Sequence, residues 1–281
     1  MPGGGTKREL EPGDTLGDYR LEELLGEGGM GRVFRATRSR DGATVALKAL
    51  KLNLGDDLMY WHRFVHEARA AAEVEHESLV PILEAGEVAG QPFLAVGYVP
   101  GPSLQERIRA DGPLDVEELV RVAREVAAGL DALHERGIVH RDIKASNVLL
   151  ADGRAVLTDF GLAKGASYTV LTKPGQVLGT LEYLAPELIR GEPATPASDL
   201  YALGCLVHEC AAGRTPFGDR SLFEVGMAHL DEAPGDPGAG RDGWPPALSA
   251  AIGEALRKDA ALRPPSATAY ADLLGRAAGL S

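Results

Sequence analysis

Two short stretches of this 281-residue chain gather the groups needed to handle a metal-bound phosphate. His140-Arg141-Asp142-Ile143-Lys144-Ala145-Ser146-Asn147 is followed closely by Asp159-Phe160-Gly161, which brings two carboxylates, a carboxamide and an ammonium near one another. Mg²⁺ prefers hard oxygen ligands, one or two from side chains and the rest from phosphate and water, so Asn147 and Asp159 suffice to seat it. That leaves Asp142 to accept the proton of an attacking hydroxyl, or to orient that hydroxyl. Lys144 can offset charge on a moving phosphoryl group.

These residues need elements to hold them. Val148-Leu149-Leu150 and Ala155-Val156-Leu157 are apolar runs around a turn-like Ala151-Asp152-Gly153-Arg154. They predict a tight hairpin with both polar clusters at one end. Near the N-terminus, Gly26-Glu27-Gly28-Gly29-Met30-Gly31 has a G-x-G-x-x-G spacing, which dinucleotide folds and plain turns share. A dinucleotide fold needs a helix next, whereas Arg32-Val33-Phe34-Arg35-Ala36-Thr37 alternates like a strand. The glycines therefore read as the tip of a hairpin able to lie close over phosphates. The next strand, Thr44-Val45-Ala46-Leu47-Lys48-Ala49-Leu50, carries one lysine. A strand lysine ordinarily faces water at an edge, but a buried one requires a carboxylate partner. A helix predicted over residues 59–74, with Phe64, Ala68, Ala71 and Val74 as its apolar stripe, offers Glu67; Glu73 and Glu75 at its end are the alternatives.

In this order the motifs resemble those of the eukaryotic-type protein kinases: H-R-D-x-K-x-x-N, then D-F-G, then Ala185-Pro186-Glu187, with Lys48 in a V-A-L-K setting. Gly28-Gly29-Met30-Gly31 and the Ala/Gly-rich composition are similar to the bacterial serine/threonine members. The resemblance covers residues 19–274. It implies an α+β, bilobal protein-kinase fold: a small, mainly antiparallel β N-lobe with one helix (19–96), a hinge (97–101) and a larger, mainly helical C-lobe (102–275). A mobile tail (1–18) precedes this domain and residues 276–281 end it.

The resemblance also implies roles. Lys48, paired with Glu67, holds the α- and β-phosphates of ATP. Gly26, Glu27, Gly28, Gly29, Met30, Gly31, Val33, Ala46, Val96 and Leu149 surround the nucleotide, and the backbone of Gly97, Tyr98 and Val99 pairs with the base. Asn147 and Asp159 hold Mg²⁺ or Mn²⁺, and Asp142 and Lys144 serve the transferred group. Thr180 contacts both of these and favours serine/threonine acceptors. Asp199 holds the backbone of the catalytic loop, and Glu187 pairs with Arg263. The family often has Glu where this chain has Gly97, which predicts a looser hinge.

Ser103-Leu104-Gln105-Glu106 and Asp115-Val116-Glu117-Glu118 carry capping-box spacing and predict a short helix and a long one, the latter with Leu119, Val122, Val126, Leu130 and Leu133 on its buried face. His140, with an apolar neighbour before it, reads as a packed, structural histidine. Asp199 sits where an Asp caps a buried helix running to about Gly213. Residues 162–184 are poor in periodicity and predict a mobile segment; on it Thr172, Thr169 and Ser167 are autophosphorylation candidates, and Arg141 could pair with a phosphate there. Residues 233–240 read as a Pro/Gly-rich surface loop, and 248–256 and 267–274 as closing helices.

With 41 acidic and 29 basic residues the formal charge is −12, which argues against a general grip on nucleic acid or an anionic bilayer. No apolar run approaches membrane-spanning length, and the N-terminus lacks a signal-peptide core, so a cytoplasmic location is expected. By resemblance the domain is expected to belong to a longer, membrane-anchored protein. Expected partners are ATP and proteins bearing Ser/Thr acceptors; pairing through the small lobes stays open. Cys205 and Cys210 read as core thiols. Three other functions compete. A pseudokinase scaffold would usually lack Lys48, Asp142 or Asp159, and a small-molecule phosphotransferase would lack residues 179–187. An oxidoreductase fails on the strand after the glycines.

Overall fold

The computed structural model describes residues 9–28, 31–50, 58–159 and 181–280, the side chains of 58–63 excepted. Two compact units form, Met1–Ala72 with Pro81–Tyr98, and Glu73–Val80 with Val99–Ser281. Strand-like alternation builds the smaller one as β1 (Thr15–Leu16), β2 (Tyr19–Gly28), β3 (Gly31–Arg38), β4 (Thr44–Leu50), β5 (Ile82–Val88) and β6 (Gln91–Gly97). These pair antiparallel in the order β1-β2-β3-β4-β6-β5, and α1 (Leu58–Ala72) packs on β5.

Because side chains alternate across a strand, the register divides the sheet into two faces. Phe34, Val45, Leu47, Ala49, Phe93 and Ala95 join Leu16, Tyr19 and Leu21 in a buried cluster on one face. Val33 opposite Lys48, and Ala46 opposite Val96, fall on the other.

Residues 9–18 depart from the expected tail. Leu16 is buried in β1, Leu10 packs against the apolar cluster, and Gly13 N–H donates to the Leu21 carbonyl at 2.8 Å. Two strand residues are too few to show a period, so the run escaped pattern reading. Leu79, within the 19–96 span expected for the N-lobe, instead bridges Leu157 in the larger unit, where Val80 N–H also donates to the Leu157 carbonyl.

The larger unit is mainly helical: α2 (Leu104–Asp111), α3 (Val116–His134), α4 (Pro186–Ile189), α5 (Pro196–Ala212), α6 (Leu222–Asp231), α7 (Pro246–Ala255) and α8 (Ala267–Ala278), with the hairpin β7 (Val148–Ala151) and β8 (Arg154–Leu157). Ser103 and Glu106 form the reciprocal box that opens α2. Asp115 caps α3 by accepting Glu118 N–H, but the Glu118 carboxylate goes to Arg107 at 3.0 Å and leaves the box half made. Thr195, not Asp199, caps α5, because Pro196 takes the first helical position and moves the start back along the chain. Helix α6, opened by a Ser221/Glu224 box, has no counterpart in the sequence reading. Cys205 and Cys210 are buried in α5 as unpaired thiols.

Candidate active site

In the larger unit the β7/β8 hairpin turns at Asp152 (φ 50°) and Gly153 (φ 75°), a left-handed pair that matches strand twist. Its open end pairs Val148 with Leu157, and Thr158 N–H then donates to the Asn147 carbonyl at 2.8 Å. Asn147 and Asp159 thus leave the same end of one hairpin, as the two apolar runs predicted.

The Asp142 carboxylate is held in place. Asn147 Nδ2 donates to Asp142 Oδ2 at 3.0 Å and to its backbone carbonyl at 2.8 Å, while Lys144 Nζ stands 3.1 Å from Oδ2. Both amide hydrogens of Asn147 are spent on Asp142, so its Oδ1 is the atom left to accept or ligate. With the Asp159 carboxylate this is an all-oxygen donor pair, which fits a hard divalent cation that keeps water and phosphate as its other ligands. Arg141 and Asp159 adopt φ of 65° and 57°, left-handed backbone that a non-glycine residue takes at a cost of about 1 kcal/mol or more.

Asp199 fixes that backbone. Its carboxylate accepts His140 N–H at 2.7 Å and Arg141 N–H at 2.8 Å, and His134 Nε2 lies 2.8 Å from Oδ2. His140 is fully buried: Asp142 N–H donates to its Nδ1, and its Nε2 faces the Thr158 carbonyl at 3.2 Å. Burial pushes this imidazole below its ordinary range in spite of the carboxylates of Asp199 and Asp142. A neutral, doubly bonded ring props the loop, which agrees with the structural reading. A cavity of about 20 Å³ lies against Asp142, Lys144, Tyr183, Ser198 and Asp199, with room for about one water.

Farther along, Arg263 meets Glu187 through two parallel bonds of 2.7 and 2.8 Å, and Ser198 donates to Glu187 Oε1. Burial raises the Glu187 pKa, but the Arg263 guanidinium, together with a backbone N–H and the Ser198 hydroxyl, more than offsets this and holds the carboxyl below its usual range. Two further polar partnerships had no sequence signal. Tyr183 donates to the buried Glu209 of α5, and the His134 ring reaches Asp199 across 65 residues of chain.

In the smaller unit, Val33, Ala46, Lys48 and Val96 share one face of the sheet, all of them partly exposed. Glu67 lies on α1 beside the buried Phe64 and Ala68. Gly26, Glu27, Gly28 and Gly31 stand at the open end of the β2/β3 hairpin. Gly31 is needed for packing: a Cβ there would lie 2.1 Å from the Ala49 carbonyl oxygen. A Cβ on Gly26 or Gly28 would meet no described atom within 4 Å, so the fold itself does not require those glycines. Gly97 closes β6 by donating to the Pro81 carbonyl at 2.9 Å, and a Cβ would stand 2.9 Å from Pro81 Cγ. Tyr98 ends this unit; Val99 and Leu149 belong to the other, Leu149 in β7 bridging Ser103. Gly29, Met30, Ser167, Thr169, Thr172 and Thr180 lie outside the described residues.

Residues 19–240 match the protein kinase domain family. The chain is 38% identical to serine/threonine-protein kinase PknD of Mycobacterium tuberculosis over 89% of its own length and 38% of the relative's. It is 39% identical to a serine/threonine-protein kinase of Corynebacterium efficiens, covering 88% of this chain and 48% of that protein. It thus spans less than half the length of these relatives. Among solved structures, the PknI kinase domain of M. tuberculosis superposes with a TM-score of 0.78 at 29% identity, over 96% of this chain and 99% of that one. A variant of the same domain gives 0.78 at 30% identity, over 97% and 100%. With the family matched over most of its length and this catalytic-loop geometry in place, the chain belongs to the protein kinase domain family.

Proposed function

We propose that this domain transfers the γ-phosphoryl group of Mg-ATP to serine or threonine hydroxyls of proteins. The observation that carries the reading is the Asp142 carboxylate, aimed by Asn147 and Lys144 in a loop whose backbone is tied to Asp199. In this role Asp142 orients the acceptor hydroxyl and takes its proton as the new P–O bond forms and the bond to ADP breaks. Lys144 sits beside Asp142 and offsets charge on the group in flight. Asn147 and Asp159 would hold the divalent ion, for which Mg²⁺ fits the oxygen donors; the bound ion supplies charge neutralisation at the phosphates.

Lys48, with Glu67 as its partner, would engage the α- and β-phosphates. Gly26 and Gly28, which carry no side chain, would let the backbone of the hairpin approach the same phosphates closely. Val33, Ala46, Val96 and Leu149 would enclose the base, and the Gly97 to Val99 backbone would pair with it. Thr180 would favour serine or threonine as acceptor, and Thr172, then Thr169 and Ser167, are the hydroxyls proposed for autophosphorylation. A cytoplasmic setting suits this chemistry, because ATP is there; among the described residues no helix is long and apolar enough to cross a membrane.

The test is incorporation of labelled phosphate into a basic protein substrate, with Asp142→Asn as control. Loss of the base should lower the rate about 10²- to 10⁴-fold while nucleotide affinity is retained. Equal incorporation by both proteins would remove the reading. Peptide mass spectrometry after incubation with ATP tests the loop: an unmodified 162–184 peptide in an active sample refutes autophosphorylation there.

A further inference from the structure

Arg32 directly follows the glycine-rich tip, yet its guanidinium is turned away from the face that carries Val33. It lies on the Phe34 side of β3, with Cζ 5.4 Å from the Phe34 ring centroid, and only 13% of the side chain is exposed. There it donates to the Leu10 carbonyl and, at 3.0 Å, to Glu11 Oε1, and its Nε lies 3.6 Å from Glu27 Oε2 on the facing strand. One side chain thus joins both strands of the glycine hairpin to residues 10 and 11.

Those residues are themselves anchored. Leu10 packs against the apolar cluster that contains Phe34. Glu11 N–H donates to Asp14 Oδ2 at 2.8 Å, and Gly13 and Asp14 exchange backbone bonds with Leu21 at 2.8 and 2.9 Å. Thr15 and Leu16 then pair with Arg20 and Tyr19. By contrast, Leu25, Gly26, Glu27 and Gly28 at the hairpin tip are exposed, and glycine backbone is entropically expensive to fix. A tip of this composition needs a tether to keep its amides in one place.

We propose that residues 10–16 form an N-terminal strap that, through Arg32, positions the glycine hairpin over the phosphates of ATP, which makes Arg32 a positioning residue for nucleotide binding. This rests on the ATP-dependent reading above. Loss of the tether would weaken binding without touching the groups that perform transfer.

The test is calorimetric titration of the full chain with Mg-ADP, together with steady-state kinetics at varied ATP. Arg32→Ala should raise the ADP dissociation constant and the KM for ATP roughly three- to tenfold, the range expected for one partly exposed charge-assisted contact. The kcat at saturating ATP should change by less than about twofold. Arg32→Lys, which keeps the charge but cannot fork to both acceptors, should fall between. A variant lacking residues 1–12, in which Arg32 remains but its strap partners are gone, should reproduce Arg32→Ala. That variant also decides the matter if Arg32→Ala fails to fold. Unchanged ADP affinity in the truncated chain overturns the strap. No binding of ADP by the unaltered chain would instead overturn the ATP reading itself.

Discussion

At the scale of single residues, Asp199 governs the backbone of the loop that carries Asp142. Its two oxygens take the amides of His140 and Arg141 and face the His134 ring. Asp199→Asn keeps the shape but replaces one acceptor by a donor aimed at N–H groups. Bonds to a charged acceptor contribute about 1.5–3 kcal/mol, so kcat should fall roughly 10- to 100-fold with Mg-ADP affinity nearly unchanged. A matched loss of nucleotide affinity in the titration would contradict a loop-positioning role. Asp142, Lys144, Asn147 and Asp159 were legible because they fall in one short stretch whose spacing is itself the signal. Asp199 and the Glu187–Arg263 pair became legible only through family resemblance, since their partners lie 58 to 76 residues away. His134 and the Tyr183–Glu209 pair carried no local pattern, because what selects them is a contact made after folding.

At the scale of elements, the approach of the loop before α2 to β7 depends on one glycine. Gly101 has φ 147°, and a Cβ on it would stand 2.0 Å from the Leu150 carbonyl oxygen. Next to it, Leu150 N–H donates to the Pro102 carbonyl and Ser103 bridges Leu149. Gly101→Ala should therefore push this segment off β7 and cost about 2 kcal/mol or more, read as a lower urea midpoint at constant m-value. A variant as stable as the parent would mean the segment can slide without loss. Gly97 invites a related reading. Its lack of a side chain was expected to loosen the chain there, but Pro81 Cγ occupies the space a Cβ would need, so glycine here also relieves crowding. Long periodic helices such as α3 and α5 were readable. The two-residue β1 had too few residues to show a period, and α6 passed unread although its Ser221/Glu224 box was in the sequence.

At the scale of the molecule, buried titratable groups set how stability responds to acid. Burial lowers the imidazoles of His140, His208 and His229, the last to about 3. Below about pH 6.5 the unfolded chain takes up protons at these rings more readily than the folded chain, so stability falls as pH drops, by up to about 1.4 kcal/mol per pH unit for a ring that stays neutral in the fold, as His229 does. Glu182 and Glu209, raised by burial, act in the opposite sense nearer the carboxyl range. Urea unfolding at pH 7.0 and 5.5 should show lower stability at 5.5, and His229→Gln should flatten the difference; a midpoint unchanged by pH would contradict this. The Glu187–Arg263 fork is the other global element: Arg263→Ala leaves a buried carboxylate unpaired and should cost about 3–5 kcal/mol, visible as a lower unfolding midpoint. The chain's only two cysteines bear on how such losses can be followed. Both lie within α5, and burial pushes both thiols up, so neither offers thiolate to a disulfide reagent while the larger unit stays shut. Coloured thiol exchange would consequently clock the opening of that unit alone. The smaller unit, holding no sulfhydryl, would remain silent, and Arg263→Ala should make the clock run faster.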